Sequence, residues 1–220
     1  MSADLRLYAL VDPEHAGGRD LAELSFLLAR GGATLVQLRD KRGSTQAMVE
    51  TARAIRGRLA PLGVPLLIND RVDVAFAAGA DGVHLGQDDM AVADARRLLG
   101  PHAMIGLSIK TLAQATHAPI EHLDYVCVGG VFATVSKDNP DPPIGLAGLK
   151  SIFAKMRGRD PDLPIGAIAG INASNAGAVI ATGADGVAVI SALSLSRDPQ
   201  AAARGLRAIV EAALAKRQAA

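Results

Sequence analysis

The chain contains no tryptophan, a single cysteine, and only 3% aromatic residues. So few flat rings leave little for stacking on single-stranded nucleic acid. One cysteine excludes an intramolecular disulfide framework and a cysteine-built zinc site. Neither sign of charge dominates, with 23 basic against 22 acidic residues and a net charge of +1. Such a balance lacks the electrostatic footprint of a nucleic-acid binder. No apolar run approaches the roughly 20 residues that a membrane-spanning helix requires. The first residues, MSADLRLYALVDPEHAGG, carry Asp4 and Arg6 early and do not read as a secretory signal. What is present is a globular composition, 50% hydrophobic and 20% charged over 220 residues. The expectation is one soluble, cytoplasmic domain spanning 1–220.

Short apolar runs, several of them β-branched, recur along the chain: LYALV (7–11), TLVQL (34–38), PLLI (65–68), GVHL (82–85), MIGL (104–107), YVCV (125–128), IGAI (165–168) and GVAVI (186–190). Runs this apolar suit strands buried on both faces, as in a parallel sheet beneath helices. Segments with helical spacing separate them, including 20–30, 45–62, 72–78, 90–99, 146–156 and 173–182. The terminal AAALAKRQAA reads as a helix end that frays. A local pattern also repeats: GGATLVQ from Gly31, GADGVHL from Gly79 and GADGVAV from Gly183. Each glycine is expected to end a helix in the left-handed conformation, with the aspartate bonding backbone amides of the turn. Strand and helix alternation gives the α/β class, and eight such units fit a (β/α)8 TIM barrel. The competing doubly wound sheet would carry a glycine fingerprint after its first strand, where this chain has Val11-Asp12-Pro13-Glu14.

In such a barrel, chemistry gathers at the C-terminal ends of the strands. Those ends are loaded with polar residues here, whereas the strand starts are mostly glycine, proline and small residues. Arg39 and Lys41 alternate and so face one side, where both can meet one anion. Lys137 adds a third cation in the loop after strand six. Asp70 and Asp89 end neighbouring strands, and two carboxylates beside cations suggest a Mg²⁺ site completed by substrate phosphate oxygens. The plainer alternative is that Asp70 pairs with Arg39 or Arg71 at the rim. Asn69 and Ser108 are neutral donors that also read as cap or turn residues. Gly170 and Ile190-Ser191, after strands seven and eight, fit a phosphate site built from backbone amides, with Ser191 capping the turn 192–195. Cys127 and His84 read as interior residues, His84 as a satisfied one.

Together these motifs resemble the thiamine-phosphate synthase family. The likeness runs through QLRDK (37–41), INDR (68–71), GADGVHLGQ (79–87) with its acidic pair, IGLS (105–108), the segment 129–137, Gly145-Leu146, AIAGI (167–171) and GADGVAVISA (183–192). It implies the barrel, and a Mg²⁺-dependent transfer that joins a hydroxymethylpyrimidine diphosphate to a thiazole phosphate and releases pyrophosphate. By the same resemblance Gln37, Leu38, Arg39, Asp40, Lys41, Asn69, Ser108 and Lys137 would bind the pyrimidine diphosphate. Arg39, Lys41, Ser108 and Lys137 would act on it catalytically. Asp70 and Asp89 would hold Mg²⁺, and Thr134, Val135, Ser136, Gly170, Ile190 and Ser191 would bind the thiazole phosphate. The partners implied are these small molecules, with no nucleic acid and no membrane; a homo-oligomer is compatible with the sequence. Departures are two prolines missing from the strand-six pattern, which here reads GGVFATVSK (129–137), and Ala169 in place of a glycine. A thiazole tautomerase on the same barrel would carry a histidine where Gly130 stands and would need no Mg²⁺. A non-catalytic binder would not need Arg39, Lys41, Asp70, Asp89 and Lys137 together.

Overall fold

In the computed structural model, which describes residues 3–134 and 142–219, eight parallel strands close into a barrel in sequence order. They are β1 (Leu7–Val11), β2 (Leu35–Leu38), β3 (Leu66–Asn69), β4 (Gly82–Leu85), β5 (Met104–Ile109), β6 (Tyr125–Val128), β7 (Ile165–Ile168) and β8 (Gly186–Val189). Closure is made by β1 against β8, with Tyr8 opposite Ala188. The helices are α1 (Leu21–Arg30), α2 (Thr45–Leu59), α3 (Val72–Ala78), α4 (Val92–Leu99), α5 (Leu112–His117), α6 (Gly145–Arg157), α7 (Ala176–Ala181), α8 (Ser191–Ser194) and α9 (Pro199–Gln218). This is the (β/α)8 architecture, and the helix at the C-terminus runs as an α-helix through Gln218. Among the described residues, no helix is long and apolar enough to cross a membrane.

Strand alternation divides the core into two layers. Leu7, Ala9, Val11, Val36, Leu38, Leu66, Ile68, Val83 and Leu85 face outward and pack under the helices. Tyr8, Leu10, Leu35, Leu67, Tyr125, Cys127 and Ala188 face inward, joined at the N-terminal end by Ala3 and Leu5. The repeated turn has a definite job. Asp81 Oδ2 accepts from Leu66 N at 2.8 Å, Asp124 Oδ2 from Ile105 N at 2.8 Å, and Asp185 Oδ2 from Ile165 N at 2.8 Å. Each residue just before an even strand therefore pins the start of the preceding odd strand, with Thr34 Oγ1 playing the same part for Leu7 N at 3.1 Å. One detail differs from the sequence expectation. Gly79 and Gly183 adopt positive φ, but in the first copy the positive-φ glycine is Gly32, because Gly31 still lies in the right-handed helical region at φ −79°.

Candidate active site

The C-terminal ends of all eight strands surround one cavity of about 780 Å³. Of the residues singled out in the sequence, Gln37, Arg39, Asn69, Ser108, Thr134, Gly170, Ile190 and Ser191 line it. Val135, Ser136 and Lys137 lie outside the described residues. Leu38 does not reach the cavity: its side chain is one register step from Gln37 and Arg39 and packs in the outer layer under the helices. The Asp40 carboxylate is used in its own turn, accepting from Arg42 N at 2.9 Å and Gly43 N at 2.8 Å. An acceptor so engaged beside a cationic cluster shapes the loop rather than an anion site.

Arg39 is buried and its guanidinium is held by the buried carboxylate of Asp12. Asp12 is the functional residue that the sequence reading passed over. It follows β1 directly, caps a short 3-10 turn by accepting from Glu14 N at 2.9 Å, and aims Arg39 across the cavity mouth. The signal was available, since a carboxylate after strand one is at the same barrel end as Arg39.

Lys41 pairs with Asp70, so neither Arg39 nor Arg71 is the partner of Asp70. Arg71 instead bonds Asp73 and Thr45. Asp70 stands at φ 62°, a left-handed conformation that aspartate tolerates better than most side chains. Its carboxyl acts on that of Asp89. Asp89 also accepts from Gly86 N at 2.6 Å, which closes the turn after β4. Burial, and then the carboxyl of Asp70, push the Asp89 pKa up, against the opposing pull of Gly86 N–H and Lys41. Two carboxylates crowded together in this way are what a divalent cation relieves. Among the described residues no cluster of three or more histidine, cysteine or acidic side chains could hold a metal ion. Any cation held here thus takes two carboxylates from the protein and the rest of its oxygens from elsewhere, which suits Mg²⁺ bound with a phosphate ligand and not a dedicated protein cage.

The cavity floor is built from a row of hydrogen-bonded polar side chains. Gln37 Nε2 donates to Tyr8 Oη. Tyr8 Oη lies 2.9 Å from Tyr125 Oη, which lies 2.8 Å from His84 Nδ1, and His84 Nε2 is 2.9 Å from Ser108 Oγ. Gly106 makes room for this, because a Cβ there would fall 2.0 Å from the Tyr125 ring. Burial raises both phenols above their ordinary range and pushes the Cys127 thiol up to about 12, so none of the three ionises at neutral pH. His84 and Cys127 are the interior residues that their strand positions predict.

On the opposite side, Gly170 at φ 66° lets β7 approach the segment after β6: a Cβ would meet Ala133 O at 2.5 Å and Phe132 Cβ at 2.7 Å. Ala169 precedes it at φ 95°, and its carbonyl accepts from Phe132 N at 3.1 Å. Ser191 is the first residue of α8 and not its cap. Ile190 holds the cap position, with no side-chain hydrogen bond there. Ser191 lines the cavity wall at the first turn of α8.

Comparison with known proteins follows the same lines. The family profile described as thiamine monophosphate synthase matches residues 7–193. A thiamine-phosphate synthase of Agrobacterium fabrum (strain C58) is 53% identical over 215 residues, covering 98% of this chain and 98% of its own. One of Chloroflexus aurantiacus is 47% identical over 207 residues, with 94% and 93% covered. The solved thiamine phosphate pyrophosphorylase of Pyrococcus furiosus superposes with a TM-score of 0.83 at 36% identity, covering 96% of this chain and 98% of that one.

Proposed function

Since this chain belongs to the thiamine monophosphate synthase family, an assignment that makes it a transferase with thiamine-phosphate synthase function, we propose how its own residues carry out that reaction. The substrates are an aminopyrimidine methyl diphosphate and a thiazole phosphate, and the products are thiamine phosphate and pyrophosphate. The observation that carries the reading is two interacting carboxylates, Asp70 and Asp89, with Lys41 on Asp70, next in sequence to Asn69 and Asp88, which line the cavity with Arg39.

Asp70 and Asp89 would hold Mg²⁺, which supplies charge neutralisation to the departing pyrophosphate. Arg39, fixed by Asp12, presents a guanidinium to the diphosphate without the entropy cost of ordering a free side chain. Lys41, which bonds Asp70, would add a second cation toward the diphosphate. Lys137 belongs to this set by the family pattern. Each well-placed charge of this kind contributes ~2–4 kcal/mol to the bond-breaking step, by analogy with oxyanion donors. Gln37 and Asn69 orient the pyrimidine ring, and Ser108 donates to the diphosphate. Thr134, Gly170, Ile190 and Ser191, with Val135 and Ser136, receive the thiazole phosphate opposite, so the thiazole nitrogen faces the carbon that loses pyrophosphate. Holding both reactants in one cavity removes much of the bimolecular entropy cost. The C–O bond to pyrophosphate breaks, the pyrimidine ring stabilises the cationic methylene, and the thiazole nitrogen supplies the electron pair for the new C–N bond. No side-chain nucleophile or strong base is required. The buried Tyr8, Tyr125 and Cys127, held protonated, suit that chemistry.

The test is single-turnover coupling of the two substrates. Asp89→Asn should slow product formation at saturating substrates by about 100-fold or more, the loss typical of removing one electrostatic group. Ser191→Ala should chiefly raise the KM for the thiazole phosphate, about 10-fold, as expected for one hydrogen bond to a charged group. Wild-type behaviour of both variants would contradict the site assignment.

A further inference from the structure

The row Gln37, Tyr8, Tyr125, His84, Ser108 crosses the barrel interior from β2 to β5 by way of β1, β6 and β4. The family resemblance gives roles to its two ends only. Every link needs one donor and one acceptor, so the links do not choose independently. An amide nitrogen only donates, so Tyr8 Oη accepts from Gln37 Nε2. With every proton used within the row, that of Tyr8 goes to Tyr125 and that of Tyr125 to His84 Nδ1. A neutral His84 then carries its own proton on Nε2 and donates to Ser108 Oγ. Ser108 is left with its O–H for the cavity that it lines. Turning the Gln37 amide over reverses every link and leaves Ser108 presenting a lone pair instead. Both phenols are buried and stay protonated, so neither breaks the row by ionising. Gln37 Oε1 is buried and meets no donor among the described residues, an acceptor that a ligand N–H would satisfy.

We propose that this row is a polarity relay. An amino-bearing heterocycle that donates to Gln37 Oε1 fixes the Ser108 hydroxyl as a donor toward an anionic oxygen of the same ligand. A ring offering an acceptor at Gln37 turns the amide over and sets the Ser108 lone pair against its own anion. The cavity thereby selects one ligand class, a heteroaromatic amine carrying phosphate, by reading both ends together. Tyr8, Tyr125 and His84 are positioning residues in this device. The choice of ligand rests on the proposed substrate reading; the coupling of the two ends does not.

The experiment is long-range ¹H–¹⁵N correlation of the imidazoles in ligand-free protein, with His84 assigned by its loss in His84→Asn. Wild type should show neutral His84 protonated on Nε2. In Gln37→Glu, at a pH that ionises the new carboxylate, the end of the row only accepts, and the His84 proton should move to Nδ1. Adding Tyr8→Phe cuts the row and should abolish that move. An Nδ1 proton or an imidazolium in wild type overturns the relay, as does a tautomer unchanged by Gln37→Glu. If Gln37→Glu does not fold, Tyr8→Phe alone decides. The effect of Ser108→Ala on the KM for the aminopyrimidine diphosphate should be smaller by about threefold or more in the Tyr8→Phe background, the size of coupling seen between interacting sites. An equal effect in both backgrounds overturns the relay. The tautomer needs no turnover, so an intact relay in a protein without coupling activity would condemn the substrate reading alone.

Discussion

Arg39 owes its position to a single buried carboxylate. Asp12 is 1% exposed and Arg39 is 9% exposed, so the pair is effectively removed from water. Breaking such a pair from one side leaves an uncompensated interior charge, which is worse than replacing both partners. Asp12→Ala should therefore lower the unfolding free energy by about 3 kcal/mol in a urea titration. Unchanged stability would mean that Arg39 finds water or another partner. Residues like Arg39 and Gln37 were legible in the sequence, because alternation along a strand fixes which side chains share a face. Leu38, between them, belongs to the other face for the same reason. Strand order places Asp12 at the barrel end of Arg39, but its pairing with a residue 27 positions away is not encoded in any local pattern. The rim pairing of Asp70 is likewise non-local, made with Lys41 and not with Arg39 or Arg71. Its backbone is left-handed there, and Arg71 bonds Asp73 and Thr45 instead.

At the level of elements, the strands were easy to read because both of their faces are buried, which gives continuous apolar runs. Helix starts were harder. The expected helix from 90 begins at Val92, since the turn closed by Gly86 and Asp89 uses the preceding residues. The expected helix from 173 begins at Ala176. There Asn172 N bonds Asn175 Oδ1 at 2.9 Å and Asn175 Nδ2 bonds Gly170 O at 2.9 Å, a side-chain turn that delays the helix. The end of β7 holds two adjacent residues at positive φ, one without a side-chain penalty and one with it. Ala169 at φ 95° is strained by its Cβ, while Gly170 has neither a Cβ nor room for one. Ala169→Gly should thus stabilise the protein by about 1 kcal/mol, the relief of backbone strain less the added freedom of the unfolded chain. Gly170→Ala should destabilise it by about 2 kcal/mol or more, through the same strain plus a clash with Ala133 and Phe132. Thermal unfolding of the two variants measures both, and equal shifts in one direction would contradict this account of the β7 end.

For the whole molecule, the closed barrel brings residues from all eight strands to one cavity mouth, though they lie as far apart in sequence as Tyr8 and Ser191. No local segment holds the site. The sequence made its general place legible because polar residues cluster after the strands, and the family pattern supplied roles. It could not supply the interior row from Gln37 to Ser108, whose two central links cross the barrel between strands that are not neighbours. The central claim is that this mouth uses a cation on two carboxylates to release pyrophosphate. Its most direct test is coupling of the aminopyrimidine diphosphate with the thiazole phosphate, assayed with Mg²⁺ and again with excess chelator. Thiamine phosphate and pyrophosphate should form in equal amounts with Mg²⁺, and formation should cease when it is removed. Undiminished coupling under chelation would contradict the role given to Asp70 and Asp89, and no coupling under either condition would contradict the transferase reading itself.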